Sequence, residues 1–115
     1  MGHQTDPVLI YTTFESLDDA RTVGRSLVEA RLAACVNIIP SMTSIYEWQG
    51  ELQEAGEVVM LIKTRRGCQA QALERAKELH PYDTPALLVI EPVDVDKDFA
   101  AWIAGQTIEG ASPYS

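Results

Sequence analysis

Residues 31–64 carry the sequence feature that most restricts the fold. This segment contains two long apolar runs, 33–48 and 57–64, joined by a short polar stretch that holds Gly50 and Gly56. Successive side chains of a strand point to opposite faces, so a strand that covers a core on one side is apolar only at every second position. In the second run the apolar residues are consecutive from Val58 to Ile62. The segment therefore predicts a long β-hairpin with more apolar surface than one small domain buries.

The first arm of this hairpin has its own pattern. Its even positions predict one apolar face, formed by Ala34, Val36, Ile38, Met42, Tyr46 and Trp48. Pro40 interrupts the run and has no N–H to donate to a ladder of strand hydrogen bonds. We therefore expect a bulge or a bend at Pro40.

The flanking segments complete a regular order of elements. Residues 8–14 form a compact apolar strand, and Ser16 with Asp19 forms a capping box that predicts a helix after it. A second helix is predicted over 68–79, a strand over 86–91, and a short C-terminal helix that carries Phe99, Trp102 and Ile103. The order β-α-β-β-α-β plus a helix predicts an α+β, ferredoxin-like sandwich. The whole chain, 1–115, is expected to be a single domain with an ordered core of about 7–105.

The excess apolar surface has two interpretations. A chain of 115 residues has little material left to cover the second face of its sheet, so other subunits would cover it. The alternative is that a few apolar residues are simply exposed, as on most proteins. The pattern favours an oligomer.

Composition excludes some partners and compartments. A net charge of −8 argues against binding of nucleic acid through a basic surface. No apolar run reaches about 18 residues, which excludes a membrane-spanning helix. The first residues lack a signal-peptide pattern, so a cytoplasmic location is expected.

No motif predicts an enzyme, and His80 is the main candidate for metal chemistry. It lies at the predicted end of the second helix, where a protonated imidazole is favourable. Imidazole is also the commonest metal ligand. Cys35 is expected to be a small buried side chain, and Cys68 an incidental, partly exposed thiol at a helix start.

Five polar or amphipathic side chains lie near the predicted ends of strands. They are Tyr46, Trp48, Glu57, Lys63 and Tyr82. Tyrosine and tryptophan are common at interfaces, where one end is apolar and the other polar. These residues either pack the hairpin and its subunit contacts or line an inter-subunit cleft for a small ligand.

Many of these residues occur in the same order in one known family. They are the segment 31–37 (RLAACVN), Ile39-Pro40, Ser44-Ile45-Tyr46 with Trp48 and Gly50, Glu57, Lys63-Thr64, His80-Pro81-Tyr82 with Pro85, and Trp102-Ile103. Over about residues 8–105 the chain resembles the CutA divalent-cation tolerance proteins. The resemblance implies a ferredoxin-like homotrimer in which hairpin strands of adjacent subunits pair edge to edge. It also implies a role in tolerance to divalent cations, copper especially, without enzymatic activity or a required cofactor.

The resemblance assigns the metal role to His80, with Cys35 as the remaining thiol. Some bacterial relatives have a second histidine where this chain has Leu79, and a cysteine in the first strand where it has residues 11–13 (YTT). We therefore expect weak binding of copper or another divalent cation. An alternative prediction follows from the likeness to the trimeric PII signalling proteins: a sensor or scaffold that binds a small molecule or a partner protein in its inter-subunit cleft.

Overall fold

The computed structural model describes residues 3–108, and its elements follow the predicted order. They are β1 (Pro7–Phe14), α1 (Leu17–Glu29), β2 (Cys35–Trp48), β3 (Glu51–Arg65), α2 (Gln69–Leu79), β4 (Leu87–Ile90) and α3 (Lys97–Gln106). A 3₁₀ turn, Arg66–Cys68, leads into α2. The α+β, ferredoxin-like prediction is confirmed for one chain. The two ends of the predicted domain, 1–2 and 109–115, lie outside the described residues.

The four strands form one antiparallel sheet in the order β2-β3-β1-β4. The core lies between this sheet and the helices α1 and α2. Its largest fully buried side chains include Phe14, Ile10, Leu27, Met60 and Ile62. Helix α1 begins where the sequence predicts, because Ser16 Oγ accepts a hydrogen bond from the Asp19 backbone N–H at 3.1 Å.

A β-bulge in β2 confirms the irregularity predicted at Pro40. Ile39 pairs with Val59 and Met42 pairs with Glu57, so Pro40 and Ser41 together oppose Val58. Ser41 has a φ of 67°, in the left-handed region, so the backbone departs from strand geometry at this point.

Because of the bulge, the even positions of the first arm do not form the one face that the sequence predicted. Before it, Val36 and Ile38 pair with Ile62 and Met60, whose side chains are buried under the helices. The extra residue reverses the alternation, so Met42 lies on the opposite face. The even positions that follow, Ser44, Tyr46 and Trp48, lie on that opposite face too. The Tyr11 hydroxyl lies 3.9 Å from Met42 Sδ, a contact made on that opposite face.

The hairpin turn is tighter than the sequence suggested. Gln49 and Gly50 have φ values of 50° and 81°, as a two-residue turn of type I′ needs. The polar stretch 51–56, expected as a connection, is therefore the first part of β3. Beyond the end of β1, residues 42–48 and 51–57 continue as a two-stranded arm, which we call the ribbon.

The sheet face away from α1 and α2 carries exposed apolar side chains. Strand register places Ile39, Leu88 and Ile90 on it, and these are 50%, 50% and 40% exposed. We call this surface the open face. The apolar second face predicted from the sequence is thus present in the single chain.

Gly24 illustrates how closely α1 packs on the sheet. A Cβ at this position would lie 2.8 Å from Val36 Cγ2 and 3.1 Å from Met60 Sδ. We expect Gly24→Ala to lower the free energy of unfolding by about 1–3 kcal/mol, because the overpacking outweighs the gain in helix propensity. Urea denaturation measures this change.

Gly105 in α3 is the matched control for Gly24. Among residues 3–108, apart from its chain neighbours and the backbone of its own helix, no heavy atom lies within 4 Å of a Cβ built there. Gly105→Ala is expected to raise the free energy of unfolding by about 0.4–1 kcal/mol. Effects of the same sign at the two glycines would contradict the close approach of α1 to β2.

Candidate functional site

An open groove lies where the ribbon leaves the sheet. Its volume is about 650 Å³. The ribbon supplies one wall, the end of β1 and the loop between α2 and β4 the other. The lining residues are Thr13, Glu15, Tyr46, Trp48, Ala55, Gly56, Glu57, Tyr82, Thr84 and Ala86.

Four of the five predicted cleft residues meet in this groove. Tyr46, Trp48, Glu57 and Tyr82 line it together, although Tyr82 is 25 residues or more from the others in sequence. The bulge in β2 brings these side chains together, because it places Tyr46 and Trp48 on the same face of the ribbon as Glu57. The four side chains thus share one groove of the single chain. Their role in an inter-subunit cleft stays a prediction.

Lys63 does not belong to the groove. It pairs with Leu9 and Cys35 at the other end of the sheet. Its Nζ lies 5.5 Å from the centroid of the Phe99 ring of α3, within the range of a cation–π contact. Within one chain Lys63 lies away from the groove, six positions from Glu57 along β3. Its place in an inter-subunit cleft stays a prediction.

The groove has an acidic floor. Ser44 Oγ donates a hydrogen bond of 2.6 Å to Glu57 Oε1, which holds that carboxylate in place. Burial raises the pKa of the Tyr82 phenol above its usual value, and the nearby carboxylates of Glu57 and Glu15 raise it further. Burial is the larger cause of this shift, and the two carboxylates add negative charge to this part of the groove.

His80 is buried beside the groove and both of its ring nitrogens have protein partners. Nε2 lies 2.8 Å from the Thr13 carbonyl oxygen, and the Tyr82 backbone N–H donates to Nδ1 at 3.2 Å. Because a carbonyl only accepts, the proton of the neutral ring is on Nε2. The ring also stacks on Phe14, with centroids 4.3 Å apart and planes 11° apart.

These contacts favour the neutral form of His80. Burial lowers the pKa of the imidazole below its usual value, against the opposite effect of the Thr13 carbonyl. A metal ion would have to displace the Tyr82 N–H from Nδ1 or the proton from Nε2. The geometry gives His80 a structural role, which links the end of α2 to the end of β1.

Cys35 lies far from His80. Cys35 pairs with Lys63, whereas Thr13, the partner of His80, pairs with Val59. Those positions are four residues apart on β3, roughly 13 Å along the strand. The two predicted metal-ligating residues therefore do not form one site in a single chain.

Residues 3–108 contain neither a cluster of metal-ligating side chains nor a helix that could cross a membrane. No three His, Cys, Asp or Glu side chains in this range come together as metal ligands do. No helix in the same range is long and apolar enough to cross a membrane.

Sequence reasoning missed Thr13, Glu15 and Ala86 as groove residues. Each lies at the end of β1 or just before β4, and neither segment carries a motif. The available signal was topological: in a ferredoxin-like sheet, β1 lies between β3 and β4. The end of β1 therefore meets the start of the ribbon.

The fold and the site together define a class: a ferredoxin-like domain with an uncovered sheet face and a projecting β-ribbon. Solved structures of this class are closely similar to the structure of this chain. One is the CutA1 divalent ion tolerance protein from Ehrlichia chaffeensis, with a TM-score of 0.87, 33% identity, and coverage of 90% of this chain and 96% of that one. Another is the divalent cation tolerance protein from Thermus thermophilus, with a TM-score of 0.82, 40% identity, and coverage of 88% and 98%.

The sequence comparisons agree with the structural ones. The family model of the CutA1 divalent ion tolerance protein matches residues 8–106. The divalent-cation tolerance protein CutA of Pyrococcus horikoshii is 38% identical over 87% of this chain and 97% of its own length. The chain belongs to the CutA1 divalent ion tolerance family.

Proposed function

We propose that this protein acts in tolerance to divalent cations, copper among them, as a non-enzymatic homotrimer. The observation that carries the proposal is the uncovered apolar surface of the open face and the ribbon in a chain of this family. The names of the relatives describe tolerance rather than a reaction, which supports the non-enzymatic part.

The ribbon supports the proposed assembly, because several of its apolar side chains are largely exposed in a single chain. Ile45, Trp48 and Leu52 are 62%, 63% and 76% exposed. A two-stranded hairpin alone is marginally stable in water. Apolar side chains on such an arm gain stability when another copy covers them.

The sheet edges supply places for that contact. β2 and β4 are the edge strands, and each leaves backbone groups that a further strand can pair with. Light scattering at micromolar concentration is expected to give three times the mass of one chain. The mass of a single chain would overturn the proposal.

The cation-binding part of the proposal does not depend on His80. Because both ring nitrogens are hydrogen-bonded, we expect His80→Phe to bind Cu²⁺ with the same stoichiometry as the unmodified protein. Isothermal titration calorimetry measures this, with His3→Ala as the control that removes an exposed histidine. Loss of binding in His80→Phe alone would contradict the geometry and restore His80 as a ligand.

We propose a cytoplasmic location on the ground that Cys35 and Cys68 are both free thiols. A structural neighbour from Archaeoglobus fulgidus is described as periplasmic. Cell fractionation tests the location, and recovery in the periplasm would overturn it.

A second candidate function is the binding of a small molecule, as a sensor or scaffold. The observation that favours it is the groove, where three aromatic side chains and two carboxylates gather around about 650 Å³. This volume lies within the range of about 300–1,000 Å³ that is typical of ligand sites.

A further inference from the structure

We infer that Arg65 holds both terminal segments of the chain over the start of α2, and that residues 107–108 form a strap that opens without unfolding of the domain. The inference does not depend on the proposed function. Arg65 pairs with Pro7 at one end of the sheet, whereas the ribbon leaves the sheet at the other end, beyond Phe14. Arg65 is only 3% exposed in one chain, so the chain itself covers its contacts and they do not depend on a partner.

The guanidinium of Arg65 donates to three acceptors in the terminal segments. Nε donates to Thr107 Oγ1 at 2.9 Å, and Nη2 donates to the Ile108 carbonyl oxygen. Nη1 donates to the Gln4 carbonyl oxygen at 3.2 Å. Because Arg65 is buried, its N–H groups depend on these acceptors rather than on water. One side chain of β3 thus binds the N-terminal and the C-terminal segment together.

The strap covers the thiol of Cys68. The sequence predicted a partly exposed thiol, but Cys68 is 0% exposed, and its Sγ donates to the Ile108 carbonyl oxygen at 3.4 Å. The same oxygen accepts from Arg65. A reagent reaches a buried thiol only when the segment that covers it moves away. The rate at which Cys68 reacts therefore measures how often the strap opens.

Few hydrogen bonds tie the strap to the rest of the domain. Ile108 N–H donates to the Arg31 carbonyl oxygen at 2.9 Å, and Arg65 supplies the bonds from the sheet. Strand β3, by contrast, is paired on both sides, with β1 and β2. Segments with few contacts open at a lower free energy than the whole domain. We therefore expect the strap to open while the sheet stays folded.

The neighbouring arginine provides a matched control. Arg65→Lys retains the positive charge but loses the planar fork of donors, and one ammonium cannot reach acceptors in both terminal segments. Arg66→Lys makes the same change one position along the chain. The side chain of Arg66 donates to Glu91 Oε1 at 2.7 Å, away from the strap.

Alkylation of Cys68 by iodoacetamide tests the strap on the assembled protein. Tryptic peptides separate Cys68 from Cys35, and mass spectrometry follows the modification of Cys68 with time. We expect Cys68 to react about ten- to a hundredfold faster in Arg65→Lys than in the unmodified protein, and at the unmodified rate in Arg66→Lys. The rates are compared at several urea concentrations below the unfolding transition. Local opening exposes little surface, so the acceleration should change little with urea.

Hydrogen exchange tests whether Arg65 holds the two terminal segments together. Gly67 N–H donates to the Gln4 carbonyl oxygen at 2.9 Å and so reports on the N-terminal segment, whereas Ile108 N–H reports on the strap. We expect both amides to exchange faster in Arg65→Lys. The Ala34 N–H, which is bonded to β3, is expected to keep its protection. Faster exchange at Ile108 alone would overturn the joint hold on the two segments.

A second variant covers the case in which Arg65→Lys fails to fold. Thr107→Val keeps the shape of the side chain and removes the acceptor of Arg65 Nε, and is expected to raise the rate of Cys68 severalfold. If both variants fold, their combined effect should be smaller than the product of the two, because they remove the same contact.

The outcomes distinguish a strap from a general stabilising contact. An unchanged rate of Cys68 alkylation in Arg65→Lys and in Thr107→Val would overturn the role of Arg65. An acceleration that rises with urea as steeply as global unfolding does would overturn local opening. The oligomeric mass, measured on the same samples, ensures that loss of assembly is not mistaken for opening of the strap.

Discussion

Ile39→Asp is expected to separate the assembled protein into single chains. Ile39 is 50% exposed in one chain and lies on the open face, next to the bulge of β2. In an oligomer that covers this face, the variant would bury an unpaired carboxylate in each copy. Such a charge costs roughly 3–5 kcal/mol, so each contact would weaken by about two to four orders of magnitude.

Light scattering across a concentration series measures this effect. Val93→Asp is the matched control, because Val93 is fully exposed in the loop between β4 and α3. We expect it to keep the mass of the unmodified protein. Circular dichroism checks that Ile39→Asp retains its secondary structure. A folded Ile39→Asp variant with unchanged mass would exclude the open face as the assembly surface.

The fold could be predicted well from the sequence because its signals are local. Alternation and consecutive apolar residues indicated the strands, and Ser16 with Asp19 located the start of α1. Gly24 lies inside this helix, where glycine has a low helix propensity. The reason for this glycine, a close approach to Val36 and Met60, depends on how α1 lies on the sheet and so needed the structure.

The faces of β2 could not be predicted from alternation alone. Pro40 indicated an irregularity, but only the register shows that exactly one extra residue is inserted. One residue is enough to move Met42, Tyr46 and Trp48 to the other face. The same shift creates the groove, because it brings these rings to the side on which Glu57 lies.

The contacts that His80 makes could not be predicted from the sequence either. The sequence left two interpretations of His80 open, a cation at a helix end and a metal ligand. The structure places the ring between two backbone partners and against Phe14, contacts that favour its neutral form. Those partners come from β1 and from the next loop, and no pattern in the sequence links them.

Removal of His80 is expected to cause a large loss of stability in an otherwise intact chain. His80→Ala deletes a buried ring and leaves the Thr13 carbonyl and the Tyr82 N–H without their partners. We expect it to lower the free energy of unfolding by about 3–5 kcal/mol, as for other large buried rings. His80→Phe retains a ring against Phe14 but loses both hydrogen bonds, and is expected to cost about 1–3 kcal/mol.

The same residue is expected to make stability depend on pH. Because the pKa of His80 is lowered in the folded protein, the unfolded chain binds the extra proton first as the pH falls. The contribution of neutral His80 is therefore fully present above its unfolded value of about 6.5 and is lost as the pH falls below it. Urea denaturation between pH 8 and pH 5, at one protein concentration, compares the unmodified protein with His80→Phe. The difference in stability between the two should shrink towards pH 5, because His80→Phe has no imidazole to protonate. A difference that stays constant over this range would mean that His80 is not held neutral by its burial.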